Sequence, residues 1–452
     1  MGAICCCFQK HSDDYRILCT VDDNLSQRKL KDTYRSIIES RKLTIPHNLL
    51  QQSNYERNLN PYALVWCDTN INSTQENQHI QLELRHMFNF LQIFESADNC
   101  KRYLQNETNQ EIILIVSGAI GQHLIPEIHI MTHLLIIYIF CKQKDGHEIW
   151  SKQYEKVKNI FTSANELVKQ IYNDQQTQRK SHSTDLPMTF MQQTMTSIYS
   201  QVVSESSHQI FDSEFMWFQL LIEILLRMNL ESIKIHFQEL LSICRKQYGY
   251  NETNIKYITE LETTYNANQA IWWYTRETFF QYILNCALRR QNIDLLVKFS
   301  FLIRDMNEQL KVKSNFNHSI VHLYRGQLMT IVEFDNLKMN IGKYVSMNSF
   351  LSTTKSRQVA LLYAGTYNVD LTKVSILFEI EVDTQAEDRR PFRDITEQTT
   401  IESEEEVLFM LGSIFKIHNI CRNEEEKVWI VKLTASGEED NELRELFRSI
   451  KD

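Results

Sequence analysis

The chain has 452 residues, 43% of them hydrophobic, with only 10 Gly and 5 Pro, which is enough apolar material for two or three cores and too little Gly and Pro for long low-complexity linkers. Lys and Arg number 48 against 57 Asp and Glu, a formal net charge of −9, and this mildly acidic balance excludes a general nucleic-acid binder. Beyond the N-terminus the cysteines (Cys19, Cys67, Cys100, Cys141, Cys244, Cys286, Cys421) are scattered without CxxC pairs, so neither a zinc site nor a disulfide framework is expected. The opening run Met1-Gly2-Ala3-Ile4-Cys5-Cys6-Cys7-Phe8 lacks the charged n-region and apolar core of a signal peptide. It offers instead Gly2 for myristoylation and Cys5, Cys6 or Cys7 for palmitoylation, although Cys6 stands where Ser or Thr is preferred. Two acyl chains would hold the protein on the inner face of a membrane; the alternative is an unmodified Cys-rich tail. A cytoplasmic protein is expected, with the sequons at Asn72, Asn106, Asn251 and Asn317 unglycosylated.

Residues 1–57 read as a polar tail with a helix over Leu25–Ser40. From Tyr62 the pattern sharpens. Tyr62–Cys67, Glu111–Gly118 and Leu134–Phe140 are near-continuous apolar runs, as buried parallel strands are, and helices such as Val157–Tyr172 would cover their faces. Residues 58–172 are therefore expected to form a small doubly wound α/β domain, and it resembles a response-regulator receiver. Asp68 ends the first strand at the edge where ligands bind in such sheets, but no G-x-G-x-x-G follows it. Pro126, Glu127, His129 and His133 interrupt Leu124–Cys141 and exclude a membrane span there.

Residues 173–207, rich in Gln, Ser and Thr, predict a linker, and 208–264 a helical spacer. The spacer opens at the cap Asp212-Ser213, runs through Phe215–Leu226 and continues over Ser232–Tyr248 and Thr253–Thr264. From 265 to 436 the chain reads as an amphipathic helix, Phe279–Arg289, followed mainly by strands. Ile320–Tyr324 is an apolar strand that Arg325 ends, with Gly326 as a turn. In Ser349-Phe350-Leu351-Ser352-Thr353-Thr354 the alternation puts Phe350, Ser352 and Thr354 on one face and Leu351 and Thr353 on the other. Gln358–Ala364 reads as a short helix bearing Tyr363, and Val374–Val382 as a strong β-run. A polar loop, Gln385–Ser403, leads to Glu404-Glu405-Glu406 and the apolar Val407-Leu408-Phe409; Ile414–Ile417 and Val428–Leu433 add strands, and 437–452 a terminal surface helix. On a strand, Glu404 and Glu406 would share a face, where like charges raise one pKa.

A guanidinium fork, a hydroxyl-bearing strand and paired carboxylates, in that order between Tyr324-Arg325-Gly326, Ser349–Thr354 and Glu404–Phe409, resemble the R-S-E active site of arginine-specific mono-ADP-ribosyltransferases. The resemblance covers roughly Ala270–Leu433. It implies an α+β multidomain chain: the N-terminal doubly wound α/β domain, the helical spacer, and a C-terminal ADP-ribosyltransferase fold with a helical lobe and a mainly antiparallel β-core. NAD is then the substrate, with no metal, and a protein arginine the acceptor. The resemblance assigns Glu406 to stabilising the sugar cation, Glu404 to the acceptor guanidinium, and Ser352 to bonding Glu406 and the nicotinamide ribose. Arg325 would grip the pyrophosphate as only a planar fork can, and Gly326 would admit the nicotinamide carboxamide to the backbone. Tyr363 would stack on nicotinamide, and Phe350 would line the cofactor pocket. Two other readings stay open: a non-catalytic NAD- or partner-binding signalling module, and an NAD glycohydrolase.

Overall fold

The computed structural model describes residues 62–88, 91–107, 110–183, 186–191, 213–249, 251–276, 278–312, 316, 318–365, 372–386, 389–399, 405–437, 440 and 443–444. The acylation site, the predicted helix over Leu25–Ser40, Glu404 and most of the terminal helix lie outside them.

The N-terminal part is a five-stranded, wholly parallel sheet of order β2-β1-β3-β4-β5, built from β1 (Tyr62–Cys67), β2 (Leu91–Phe94), β3 (Glu111–Ser117), β4 (Leu134–Phe140) and β5 (Val157–Phe161). Helices α1 (Gln75–Phe88), α2 (Ala97–Asn106), α3 (Gly118–Ile128), the short α4 (Glu148–Ser151) and α5 (Ala164–Ser183) follow the strands in turn. Both faces are covered, and each face has its own apolar core: Val65, Leu114 and Ile139 lie in one, Trp66, Ile115 and Tyr138 in the other. That explains why the central strands read as unbroken apolar runs. The helix expected over Val157–Tyr172 is in fact β5 followed by α5. Val157–Phe161 is an edge strand with Lys158 and Asn159 exposed, so its sequence shows no run of apolar residues. Asp68 lies beside β1 at the point where the order reverses, and it is spent locally: its Oδ1 accepts from the Asn70 amide at 2.8 Å, turning the chain.

The second sheet has nine strands in the order β11-β12-β9-β7-β10-β14-β13-β8-β6. They are β6 (Met188–Phe190), β7 (Ile320–Thr330), β8 (Tyr344–Met347), β9 (Leu351–Thr354), β10 (Lys373–Asp383), β11 (Phe392–Asp394), β12 (Glu406–Phe409), β13 (Ser413–Asn423) and β14 (Val428–Ser436). Every pairing is antiparallel except β10 with β14. The architecture is thus the expected one: a parallel α/β sheet, a helical middle and a mixed, mainly antiparallel sheet.

Two predicted boundaries move. Residues 188–190, inside the expected linker, pair with β8 and close the edge of the second sheet. The expected spacer is not a spacer either, because α6 (Ser213–Arg227) packs on that sheet. Its fully buried Gln219 donates to Ser346 Oγ and to the Gly412 carbonyl, both at 2.9 Å, and accepts from Arg390 Nη2 at 3.1 Å. A buried amide costs several kcal/mol unless satisfied, so these bonds hold α6 in one register. Then α7 (Leu230–Tyr248) and α8 (Glu252–Thr264) lead to the helical lobe: α9 (Ala270–Thr275), α10 (Phe279–Arg289), α11 (Ile293–Lys298) and α12 (Ser300–Leu310); α13 (Ile331–Met339) follows β7. Phe237, Tyr265 and Phe301 meet edge-on or tilted with ring centroids 4.6 to 5.8 Å apart, joining α7 to the lobe. Tyr62 on β1 lies within electrostatic reach of Tyr282, Cys286 and Arg289 on one face of α10, and its register partner Glu111 on β3 within reach of Cys286.

Candidate active site

Strands β12, β9 and β7 are neighbours in the sheet, so residues separated by some eighty positions in the chain become adjacent. Glu406 pairs with Thr354, and Thr354 pairs in turn with Tyr324. Leu408 pairs with Ser352. Residues opposite each other across antiparallel strands share a face, so Glu406, Thr354 and Ser352 project from one side. The other side is apolar: Leu351, Val407 and Phe409 belong to the core of the second sheet, and the buried Thr353 donates to the Val407 carbonyl at 2.7 Å. This is the alternation read from the sequence.

The pairing of β7 with β9 stops after the single Tyr324–Thr354 pair. Past that point the strands diverge, and a side chain bridges the opening: Arg325 Nη1 donates to the Ser352 carbonyl at 2.9 Å. Its Nε donates to Oε1 of the buried Gln327 at 3.1 Å, two residues along the same face. Two donors fixed in this way set the plane of the guanidinium. Burial lowers the Arg325 pKa below the ordinary guanidinium value, while Tyr274 and Glu406 act against that drop. An arginine stays charged under such a shift.

Arg325 is not at a strand end, as the sequence had suggested. β7 continues to Thr330 because β10 pairs with it along its whole length, from Lys373 with Thr330 to Asp383 with Ile320. Gly326 is no turn residue either. A Cβ there would lie 1.6 Å from the Ala360 carbonyl oxygen and 2.6 Å from the Ala364 nitrogen, both backbone atoms of α14 (Arg357–Tyr363) or its C-terminal cap. Glycine is needed for a helix to lie directly on the strand. That helix is anchored at its start, where Arg357 makes a bidentate pair with Glu426 at 2.6 and 2.8 Å and reaches Glu379 at 3.1 Å.

The run of glutamates is not a plain strand. Glu405 has φ +46°, in the left-handed region, and β12 begins only at Glu406. A left-handed residue breaks the pleat at Glu405; the expectation that Glu404 and Glu406 share a face falls on Glu404, outside the described residues. Such a conformation costs about 1 kcal/mol or more and persists where the surroundings impose it. Here the Glu405 carbonyl accepts from Lys355 N at 3.3 Å and the Glu406 carbonyl from Ile395 N at 2.9 Å. Lys355 also pairs with Asp394, which ties the end of β11 to the end of β9. Burial tends to raise the Asp394 pKa, but the bonds from Lys355 and Thr396 outweigh it and hold the carboxyl below its ordinary value.

The remaining candidates divide. Phe350 is buried against Tyr274, ring centroids 4.8 Å apart. Tyr363 ends α14 and is 56% exposed. Tyr274, on α9, was not among the candidates read from the sequence. It is buried, but its hydroxyl donates to Asn285 Oδ1 at 3.2 Å, and its pKa is pushed above the ordinary phenol value by burial and then by the charge of Glu406. Nothing in local periodicity separates Tyr274 from Trp272 and Trp273; only its partners do. Among the described residues no cluster of three or more His, Cys, Asp or Glu could hold a metal.

No protein-family model matches the sequence, and no curated protein matches it. Among solved structures, the chain is similar to the ADP-ribosyltransferase HopU1 of Pseudomonas syringae pv. tomato, at 16% identity over 46% of this chain and 98% of that one, TM-score 0.31. It is similar to the C3 exoenzyme of Clostridium limosum at 15% identity over 38% of this chain and 87% of that one, TM-score 0.30. The third is Vis, an ADP-ribosyltransferase from Vibrio splendidus, in its complex with agmatine: 15% identity, 47% of this chain and 88% of that one, TM-score 0.25.

Proposed function

We propose that the chain is a mono-ADP-ribosyltransferase that moves ADP-ribose from NAD to the arginine side chains of proteins. The observation that supports this is that Arg325, Ser352 and Glu406 lie on three neighbouring strands, with Arg325 Nη1 bonded to the Ser352 carbonyl. In the reaction the nicotinamide–ribose C–N bond breaks and its electron pair leaves with nicotinamide. The ribose becomes an oxocarbenium-like cation, and Glu406 supplies the negative charge that stabilises it. A guanidine nitrogen of the acceptor then attacks the anomeric carbon, and its proton passes to Glu404. Arg325, fixed by Gln327 and Ser352, holds the pyrophosphate, and the Ser352 hydroxyl orients Glu406 and the ribose. Gly2 and Cys5 to Cys7 support a lipid-anchored protein at the cytoplasmic face of a membrane.

Incubation of the purified chain with labelled NAD and polyarginine tests the proposal: label transferred to the polymer with stoichiometric nicotinamide release is expected. Glu406→Gln should lower both by about a hundredfold or more while leaving the fold intact. Nicotinamide release without transfer would make the chain an NAD glycohydrolase, and near wild-type turnover of Glu406→Gln would remove that residue from the chemistry.

A further inference from the structure

Strand β12 is flanked by β9 on one side and β11 on the other, and Glu406 is its first residue. Glu406 pairs with Thr354 on β9, and its carbonyl accepts at 2.9 Å from the amide of Ile395, one residue past β11. The preceding Glu405 is left-handed, a conformation that persists only where the surroundings impose it. Two side chains from the flanking strands close this end of β12: Lys355, which follows Thr354, forms an ion pair with Asp394, which precedes Ile395. Strands two apart in a sheet are separated by about 10 Å, so the ion pair bridges past the end of β12. Both partners also reach the main-chain donors that hold the glutamates. The Lys355 amide donates to the Glu405 carbonyl at 3.3 Å. Asp394 Oδ1 accepts from Thr396 N at 3.1 Å and from Thr396 Oγ1 at 2.6 Å, shaping the turn that carries the Ile395 amide. We propose that Lys355 and Asp394 are positioning residues for Glu406, a side-chain strap that fixes where β12 begins and hence where its first carboxylate stands. The inference rests on Glu406 being the reacting carboxylate. The two side chains are 39% and 26% exposed, so the pair contributes little to global stability and its effect is local.

The test compares the full chain with Lys355→Met, Asp394→Asn, the double variant and Lys355→Arg. Each of the first two should lower kcat for NAD cleavage about tenfold, with KM for NAD and the urea midpoint unchanged, because a misplaced reacting group costs rate and not binding. The double should be no worse than either single, since both remove one interaction. Lys355→Arg keeps the ion pair and should recover most of the loss. Hydrogen exchange supplies a readout independent of turnover: the Ile395 amide, bonded to the Glu406 carbonyl, should exchange about tenfold faster in Lys355→Met than in wild type. Wild-type kcat in Lys355→Met, additive losses in the double, or a Lys355→Arg as slow as Lys355→Met would overturn the inference. Should the wild-type chain cleave no NAD, the proposed function falls. Exchange alone then decides the strap, and an unmoved Ile395 amide refutes it.

Discussion

Replacing Gly326 by Ala separates two accounts of that glycine. One says that it opens the backbone to a nicotinamide ring; the structure says that it makes room for a helix. The added Cβ would stand 1.6 Å from the Ala360 oxygen, about 1.8 Å short of ordinary contact, and the opposing atoms are helix backbone with no rotamer to change. Nor can α14 retreat freely, since Arg357 is pinned to Glu426 and Glu379 at its first turn. Overpacking of this kind costs about 3 kcal/mol. Thermal and urea unfolding of Gly326→Ala against wild type, both without NAD, measures it. A variant as stable as wild type but defective in NAD binding would refute the packing argument and restore the ligand account.

Glu404→Gln should abolish transfer to arginine yet leave slow NAD hydrolysis, because bond cleavage is assigned to Glu406; equal loss of both activities would refute that division. In the parallel sheet, burial tends to raise the Asp174 pKa, but bonds from Lys158, Tyr138 and Gln170 outweigh it and bring the carboxyl below its ordinary 3.8. A depressed folded-state value means stability present above about pH 4 and lost as pH falls through the folded pKa. Asp174→Asn should therefore lower urea resistance at neutral pH and flatten the acid limb, and an unchanged limb counts against the network. Gly2→Ala should move the protein from membrane to soluble fraction on cell fractionation, since a single-chain signal precedes stable anchoring; wild-type partitioning of the variant rejects the lipid anchor.

Much of the architecture was legible because burial writes itself into composition. β1, β3 and β4 have helices on both faces and so appear as unbroken apolar runs, and α10 over Phe279–Arg289 shows its apolar stripe at helical spacing. The side-chain alternation of Leu351–Thr354 was likewise readable, because a strand with one face in the core must alternate. Elements at edges were not. β5 exposes Lys158 and Asn159, and β6 is three residues whose only warrant is a partner more than 150 positions away. The site shows the same division. The residue types of Arg325, Ser352 and Glu406 and their order stand in the sequence. The gap between β7 and β9, the left-handed Glu405 before β12 and the helix over Gly326 come from contacts between distant segments. Local periodicity reports which face of an element is buried. It carries no record of which other element buries it, and that partner decided both where β7 ends and what its glycine is for.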